Sequence, residues 1–235
     1  MASLKIERLF VRIGDEVILR NINLELGDGI YLLIGRNGSG KTTLMKTIAG
    51  LIKSYEGEIY VNNKNIKDLS RRDLSLLIGY VWQNPYHGFI EARVIEEIML
   101  IRKILRVERF DKDLLDLLVE PSLFERDPFT LSGGEAKRVS IASILIADQP
   151  IWLLDEPFDY LDLYSTQKLS KLISSRRKNK IIMISTTHMC FADFIDPDKV
   201  IVLDHGEIIY TGDLRELRDD TLTRVGIIGR GLICG

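Results

Sequence analysis

Gly35-Arg36-Asn37-Gly38-Ser39-Gly40-Lys41-Thr42 fits the pattern G-x-x-x-x-G-K-[ST] at every position. The residue types suit one task, the holding of linked phosphates. Glycines let the backbone wrap closely and turn its N–H groups towards crowded anionic oxygens. Lys41 supplies a point charge for the β- and γ-phosphates. The Thr42 hydroxyl is placed to ligate Mg²⁺, and Thr43 reaches the α-phosphate. Far downstream, Asp155-Glu156 closes an apolar run. Paired carboxylates at the C-terminal end of such a strand stand where open α/β sheets carry their ligands. Asp155 is expected to bind Mg²⁺, directly or through water, and Glu156 to polarise an attacking water as general base. His188 follows another apolar run on the same edge, where an imidazole can hydrogen-bond a γ-phosphate and sense its loss.

These residues need elements to carry them. Residues 30–34 read as a buried strand entering the glycine loop, and residues 43–50 as the helix leaving it. Residues 4–13 and 16–26 alternate apolar and polar around the turn Gly14-Asp15, and 57–61 adds a further short strand. An antiparallel β-layer near the N-terminus follows. Residues 77–82 read as a strand that proline ends at Gln83-Asn84-Pro85. Apolar residues then recur at helical spacing over 94–105 and 114–119, so 85–128 reads as a mainly helical insertion. Ser132 is a plausible N-cap, with Glu135 three residues on, for a helix over 136–147. Taken alone, Ser132-Gly133-Gly134 is an ordinary helix start. Residues 151–154 and 181–186 are buried-type strands, and 199–203 with 207–210 a terminal hairpin. His87 and His205 read as structural.

The chain has 235 residues and a formal net charge of −2 with no long block of one sign, which leaves no electrostatic footprint for nucleic acid. Cys190 and Cys234 lack paired spacing and point to a reducing compartment without a zinc site. The longest apolar runs are about five or six residues, far below the roughly 18 needed to span a membrane. Met1 to Arg8 shows no apolar signal segment. The expectation is a soluble intracellular protein whose membrane role, if any, needs a partner.

The order of motifs resembles that of ATP-binding-cassette ATPases over residues 4–217: phosphate loop, Gln83, Leu131-Ser-Gly-Gly-Glu135, residues 151–156, Asp162 and His188. Leu-Ser-Gly-Gly is the specific element, since the phosphate loop alone admits many NTPases. The resemblance implies an α/β fold with a P-loop NTPase core, a mainly parallel sheet, an N-terminal antiparallel β-layer and an inserted helical sub-lobe. It implies one domain, with 1–84 and 129–217 as core, 85–128 as helical insertion and 218–235 as a tail. Two cassettes, identical or different, would stack head to tail around two ATP molecules with Mg²⁺. Each ATP would meet Gly35 to Thr43 of one subunit and Ser132, Gly133 and Gly134 of the other. Gln83 would touch Mg²⁺ and the attacking water, and Asp162 would link the two sites.

More narrowly, Gln83-Asn84-Pro85, then Val94 and Glu96-Glu97-Ile98, resembles the energy-coupling-factor type, which drives uptake of vitamins or transition-metal ions. There the segment from Gln83 to Ile98 would dock an integral membrane subunit, placing the chain peripherally on the cytoplasmic face of the cell membrane. The alternative is a non-transport ATPase of the same superfamily, acting on ribosomes or DNA. About 90 residues separate Lys41 from Ser132 without sustained heptads, which does not suit the long coiled coils of the DNA relatives. Three departures stand out. Ile13 occupies the place of an aromatic that stacks on adenine, so Phe10 or Arg12 substitutes or the base is held by apolar contact. Glu135 stands where glutamine is common. Phe158-Asp159-Tyr160 replaces small residues and is expected to alter packing at the dimer interface.

Overall fold

The computed structural model describes residues 1–108 and 110–227. Cys234 and the end of the tail lie outside the described residues. Two sheets organise the chain. The first is antiparallel, in the order β2–β1–β4–β5, from β1 (Leu4–Ile13), β2 (Glu16–Leu26), β4 (Tyr55–Val61) and β5 (Lys64–Asn65). The second runs β10–β9–β3–β8–β7–β6, from β3 (Gly29–Ile34), β6 (Ile78–Val81), β7 (Ile151–Asp155), β8 (Ile181–Thr186), β9 (Lys199–Asp204) and β10 (Glu207–Gly212). Its strands pair in parallel except for the β9–β10 hairpin.

Strands β3, β7 and β8 are buried at every residue. Their unbroken apolar runs fit a parallel sheet covered on both faces. The pleat then sorts alternate side chains into two cores. Ile30, Leu32, Ile34, Trp152, Leu154, Ile182 and Ile184 face one side, where they meet helices α3 (Val94–Leu105), α4 (Lys112–Leu118), α5 (Gly133–Leu145) and α6 (Leu163–Ser175). Tyr31, Leu33, Ile151, Leu153, Ile181 and Met183 face the other, against the antiparallel sheet and α1 (Lys41–Ile48). The molecule is therefore layered, with the parallel sheet in the middle.

Between residues 85 and 128 the described regular structure is helical, α3 and α4 with short 3₁₀ turns. The spacing did not predict α2 (Arg71–Leu77), which runs straight into β6, nor α6, α7 (Ala192–Ile195) and α8 (Asp219–Arg224). The helix expected over 136–147 starts earlier, at Gly133, because Ser132 caps it. The Ser132 hydroxyl accepts from the Glu135 amide while the Glu135 carboxylate accepts from the Ser132 amide. No helix among the described residues is long and apolar enough to cross a membrane.

The hairpin turn at Gly206 seats the glycine loop. Its amide donates to the Ser39 carbonyl at 3.0 Å, and its carbonyl accepts from the Arg20 amide at 2.8 Å. Gly206 has φ of +81°, and an added Cβ would lie 2.1 Å from the Ile18 carbonyl oxygen. Backbone on that side has nowhere to retreat. Gly206→Ala is expected to lower stability by about 2–4 kcal/mol in urea denaturation, from overpacking plus the left-handed backbone. It should also weaken nucleotide binding, because the loop loses its seat.

Candidate active site

The glycine loop joins β3 to α1. Gly40 sits at φ of +107° as the cap of α1. The first amide bonded back to it is that of Leu44, at 2.8 Å, so the amides of Lys41, Thr42 and Thr43 have no acceptor in the helix. They point out of the positive end of the helix dipole, a ready anion site. The Ser39 hydroxyl is buried without a partner beside Gly35, where an added Cβ would come within 2.5 Å of it. Lys41 is folded inward. Its ammonium donates to the Gly35 carbonyl at 2.7 Å and the Arg36 carbonyl at 3.2 Å. It also faces Glu156 at 3.7 Å. Arg36, Asn37 and Gly38 are exposed at the loop tip.

The opposite wall follows from strand register. β8 lies between β3 and β7, with Ile34 opposite Thr186 and Asp155 opposite Ser185. Two strand spacings, about 9–10 Å, separate the glycine loop from the carboxylates, a gap that the Lys41 side chain spans. Asp155 is fully buried, and two hydroxyls hold it. Ser185 donates to one oxygen at 2.6 Å and Tyr80 to the other at 3.0 Å. Burial, helped by the Asp155 charge, pushes the Tyr80 phenol up, so it remains a donor. Ser185 also accepts from the Glu156 amide at 3.0 Å. Glu156 has φ of +47°, a left-handed conformation that costs energy for a residue with a side chain and clusters at functional sites.

Burial dominates the electrostatics here. It raises the Glu156 carboxyl above the usual range, against the pull of Lys41, and lowers the Lys41 ammonium, against the pull of Glu156. Asp159 is raised by the same cause, opposed chiefly by Lys137 and then His188. Lys137 was not anticipated. It is fully buried on α5, and its ammonium donates to the carbonyls of Gln83 at 2.8 Å, Trp82 at 3.1 Å and Asp155 at 3.4 Å. Burial pushes it down to about 8. Each hydrogen bond from a charged donor offsets roughly 1.5–3 kcal/mol, against several for taking an ammonium out of water. Its spacing with Ser140, Ile141 and Ile144 on the inward face of α5 was the available signal.

The remaining candidate residues spread around this centre. Gln83 is exposed at the end of β6, with its carbonyl held by Lys137. His188 is exposed just after β8; its ring meets Phe191 edge-on with centroids 6.2 Å apart. Among the described residues, no hydrogen bond or ion pair ties Ser132, Gly133 or Gly134 to the glycine loop of the same chain. Asp162 caps α6, accepting from the Ser165 amide at 2.7 Å, and this bond holds its carboxyl low. Ile13 is exposed at the end of β1, and Arg12 donates to the Asp15 carbonyl across that turn. Phe158 is buried and stacks on Phe191 with centroids 4.6 Å apart, so its bulk fills the interior. Tyr160 is the exposed one, its ring lying against Gly133.

The family model described as ABC transporter matches residues 19–159. A putative ABC transporter ATP-binding protein of Pyrococcus furiosus is 36% identical over 88% of this chain and 82% of its own length. The energy-coupling factor transporter ATP-binding protein EcfA1 of Thermotoga maritima is 34% identical over 87% of this chain and 80% of its own length. Among solved structures, a dimeric ATP-binding cassette in a post-hydrolysis state, bound to ADP and Pi, superimposes with a TM-score of 0.80 at 26% identity. That match covers 91% of this chain and all of the other. The glycine loop, the carboxylate edge and these likenesses agree, and the chain belongs to the ABC transporter family of ATP-hydrolysing cassettes.

Proposed function

We propose that the chain is the ATP-hydrolysing subunit of a membrane transporter, an importer of the energy-coupling-factor type, and that it works by closing head to tail with a second cassette. The observation that carries the chemistry is the buried pair of Lys41 and Glu156 at the mouth of the glycine loop, beside a clamped Asp155. The loop amides and Lys41 bind the phosphates. Glu156 takes the proton of an attacking water, and its raised basicity suits that task. His188 hydrogen-bonds the γ-phosphate. Thr42, Gln83 and Asp155 would hold Mg²⁺. Their donors are hard oxygens, and among the described residues no cluster of three or more His, Cys, Asp or Glu could cage an ion alone. That pattern suits a cation shared with substrate phosphates. When bound, Mg²⁺ neutralises charge on the β- and γ-oxygens.

Ser132, Gly133 and Gly134, at the positive end of α5, then serve the ATP of the opposite cassette, which is another copy or a relative. Asp162, the cap of α6, links the two sites. The segment from Gln83 to Ile98 offers the membrane partner a shaped surface. Tyr86, Phe89 and Phe129 pack on one another. Buried Glu97 accepts the Ile90 and Glu91 amides at 2.7 and 2.8 Å and leaves Ile90 78% exposed. The chain would sit peripherally on the cytoplasmic face of the membrane. The relatives named as transporter subunits favour this reading over ribosome or DNA work. So does the helical segment, whose longest described helix, α3, has 12 residues.

Four measurements test this. Glu156→Gln should bind MgATP but slow turnover at least ~100-fold, with an ATP-bound dimer visible by size exclusion; Lys41→Ala should lose nucleotide binding. Normal turnover in Glu156→Gln removes that residue as base. Tyr80→Phe deletes one donor to Asp155 and should raise the Mg²⁺ concentration for half-maximal hydrolysis about tenfold, as expected for a group supporting a metal ligand. Finally, tagged chain purified from its native membranes should bring an integral membrane subunit with it. Ribosomal proteins or DNA-repair factors in its place would overturn the transport reading.

A further inference from the structure

Lys137 has no part in the chemistry above, yet it uses all its bonding capacity at the edge of the site. An ammonium has three N–H donors. Those of Lys137 meet three backbone carbonyls, those of Trp82, Gln83 and Asp155. Asp159, Asp155 and Glu156 act on it through space. The three carbonyls come from two places. Trp82 and Gln83 follow β6, and Asp155 ends β7. The β6–β7 ladder runs from Ile78 opposite Ile151 to Val81 opposite Leu154, and there it stops. No strand pairing sets the distance between Gln83 and Asp155. Lys137 stands where the next rungs would be and bridges the gap.

The origin of that bridge matters as much as its targets. Lys137 lies little more than one turn into α5, whose N-terminus is the Ser132-Gly133-Gly134 turn. A helix moves as a rigid piece over so short a span. Any shift of that turn is carried to the ammonium, and from there to Gln83 and Asp155. An apolar side chain of equal length would fill the same space at less cost, because a buried charge is expensive. Three donors aimed at two loops are what an apolar side chain cannot supply.

We propose that Lys137 is a positioning residue. It sets the spacing of Gln83 and Asp155 in the chain's own ATP site and ties that spacing to the Ser132–Gly134 turn engaged with the opposite ATP. This rests on the roles proposed above for Gln83, Asp155 and the turn. Lys137 thus makes each half-site report to the other within one chain.

The test compares Lys137→Met, which keeps length and burial, with Lys137→Arg, which keeps charge and donors. Hydrolysis is measured against MgATP concentration, alongside cooperative melting and binding of a fluorescent ATP analogue. Lys137→Met is expected to fold and to bind nucleotide with KM within about twofold of the parent. Its kcat should fall about 10–100-fold, as for other groups that orient a ligand. The Hill coefficient should drop towards one, and Lys137→Arg should recover part of both. A packing role alone would change melting and leave kcat and cooperativity in place, and that result overturns the proposal. If Lys137→Met does not fold, Lys137→Gln and Lys137→Arg decide. Rates that fall as donors are lost support the bridge, and parental rates in both remove it. Glu156→Gln is run in parallel. Normal turnover there sinks the site reading itself, whereas stalled turnover there with a normal Lys137→Met sinks only this inference.

Discussion

Everything in this site depends on three parallel strands ending together. The pairing of β3 with β8 and of β8 with β7 puts Ile34, Thr186 and Asp155 at one edge. From that edge the chain leaves in three directions, as a glycine loop, as the Glu156 turn and as the segment bearing His188. A shift of one residue in any pair would send each side chain into the opposite core and carry the carboxylates away from the loop. Register is protected because each face is buried under its own core. The antiparallel sheet and α1 cover one face and the helices the other, so the catalytic edge inherits its precision from packing that lies far from the chemistry.

Much of this was legible in the sequence. Strands announced themselves as runs, and the glycine loop with its flanking elements needed only local pattern. The capping box at Ser132 and Glu135 was readable for the same reason, since both partners lie within one turn. What escaped was short or distant. Helix α2 has only seven residues and merges into β6, although Ser70 caps it by accepting from the Asp73 amide. Helix α6 went unread because Asp162 was considered for a role across the dimer and not as the cap it is. Tyr80 and Ser185 meet Asp155 across 75 and 30 residues of sequence. Nothing local marks a strand tyrosine as a donor to a carboxylate on the neighbouring strand. Lys137 fell in the same class, a charge on a helix that reads as surface until the helix is seen to be buried there.

The residues after Pro157 show how bulk can be absorbed without disturbing the edge. Phe158 turns inward and stacks on Phe191, which in turn meets the His188 ring edge-on. The strand end carrying Glu156 and the turn carrying His188 are thereby joined by ring contacts as well as by the sheet. Tyr160 turns the other way and lies against Gly133, where an added Cβ would come within 3.1 Å of its ring. One substitution became core and the other became surface beside the helix start. Of these two aromatic residues, only Tyr160 is exposed and available to a partner surface, while Phe158 packs inside.

The charges of the site also explain why a ligand matters to it. Burial already makes Glu156 a stronger base than a surface carboxylate, and Lys41 at 3.7 Å restrains it. Lys41 meanwhile rests on the carbonyls of Gly35 and Arg36, acceptors far poorer than a phosphate. A triphosphate in the loop gives that ammonium a better partner and draws it from the carboxylate. The same phosphates bring negative charge close to Glu156. Losing that nearby cation raises a carboxyl's proton affinity, while the Mg²⁺ that would accompany the phosphates offsets their charge. On the role proposed for Glu156, a triphosphate that draws Lys41 away thus sharpens the base that is to act on it.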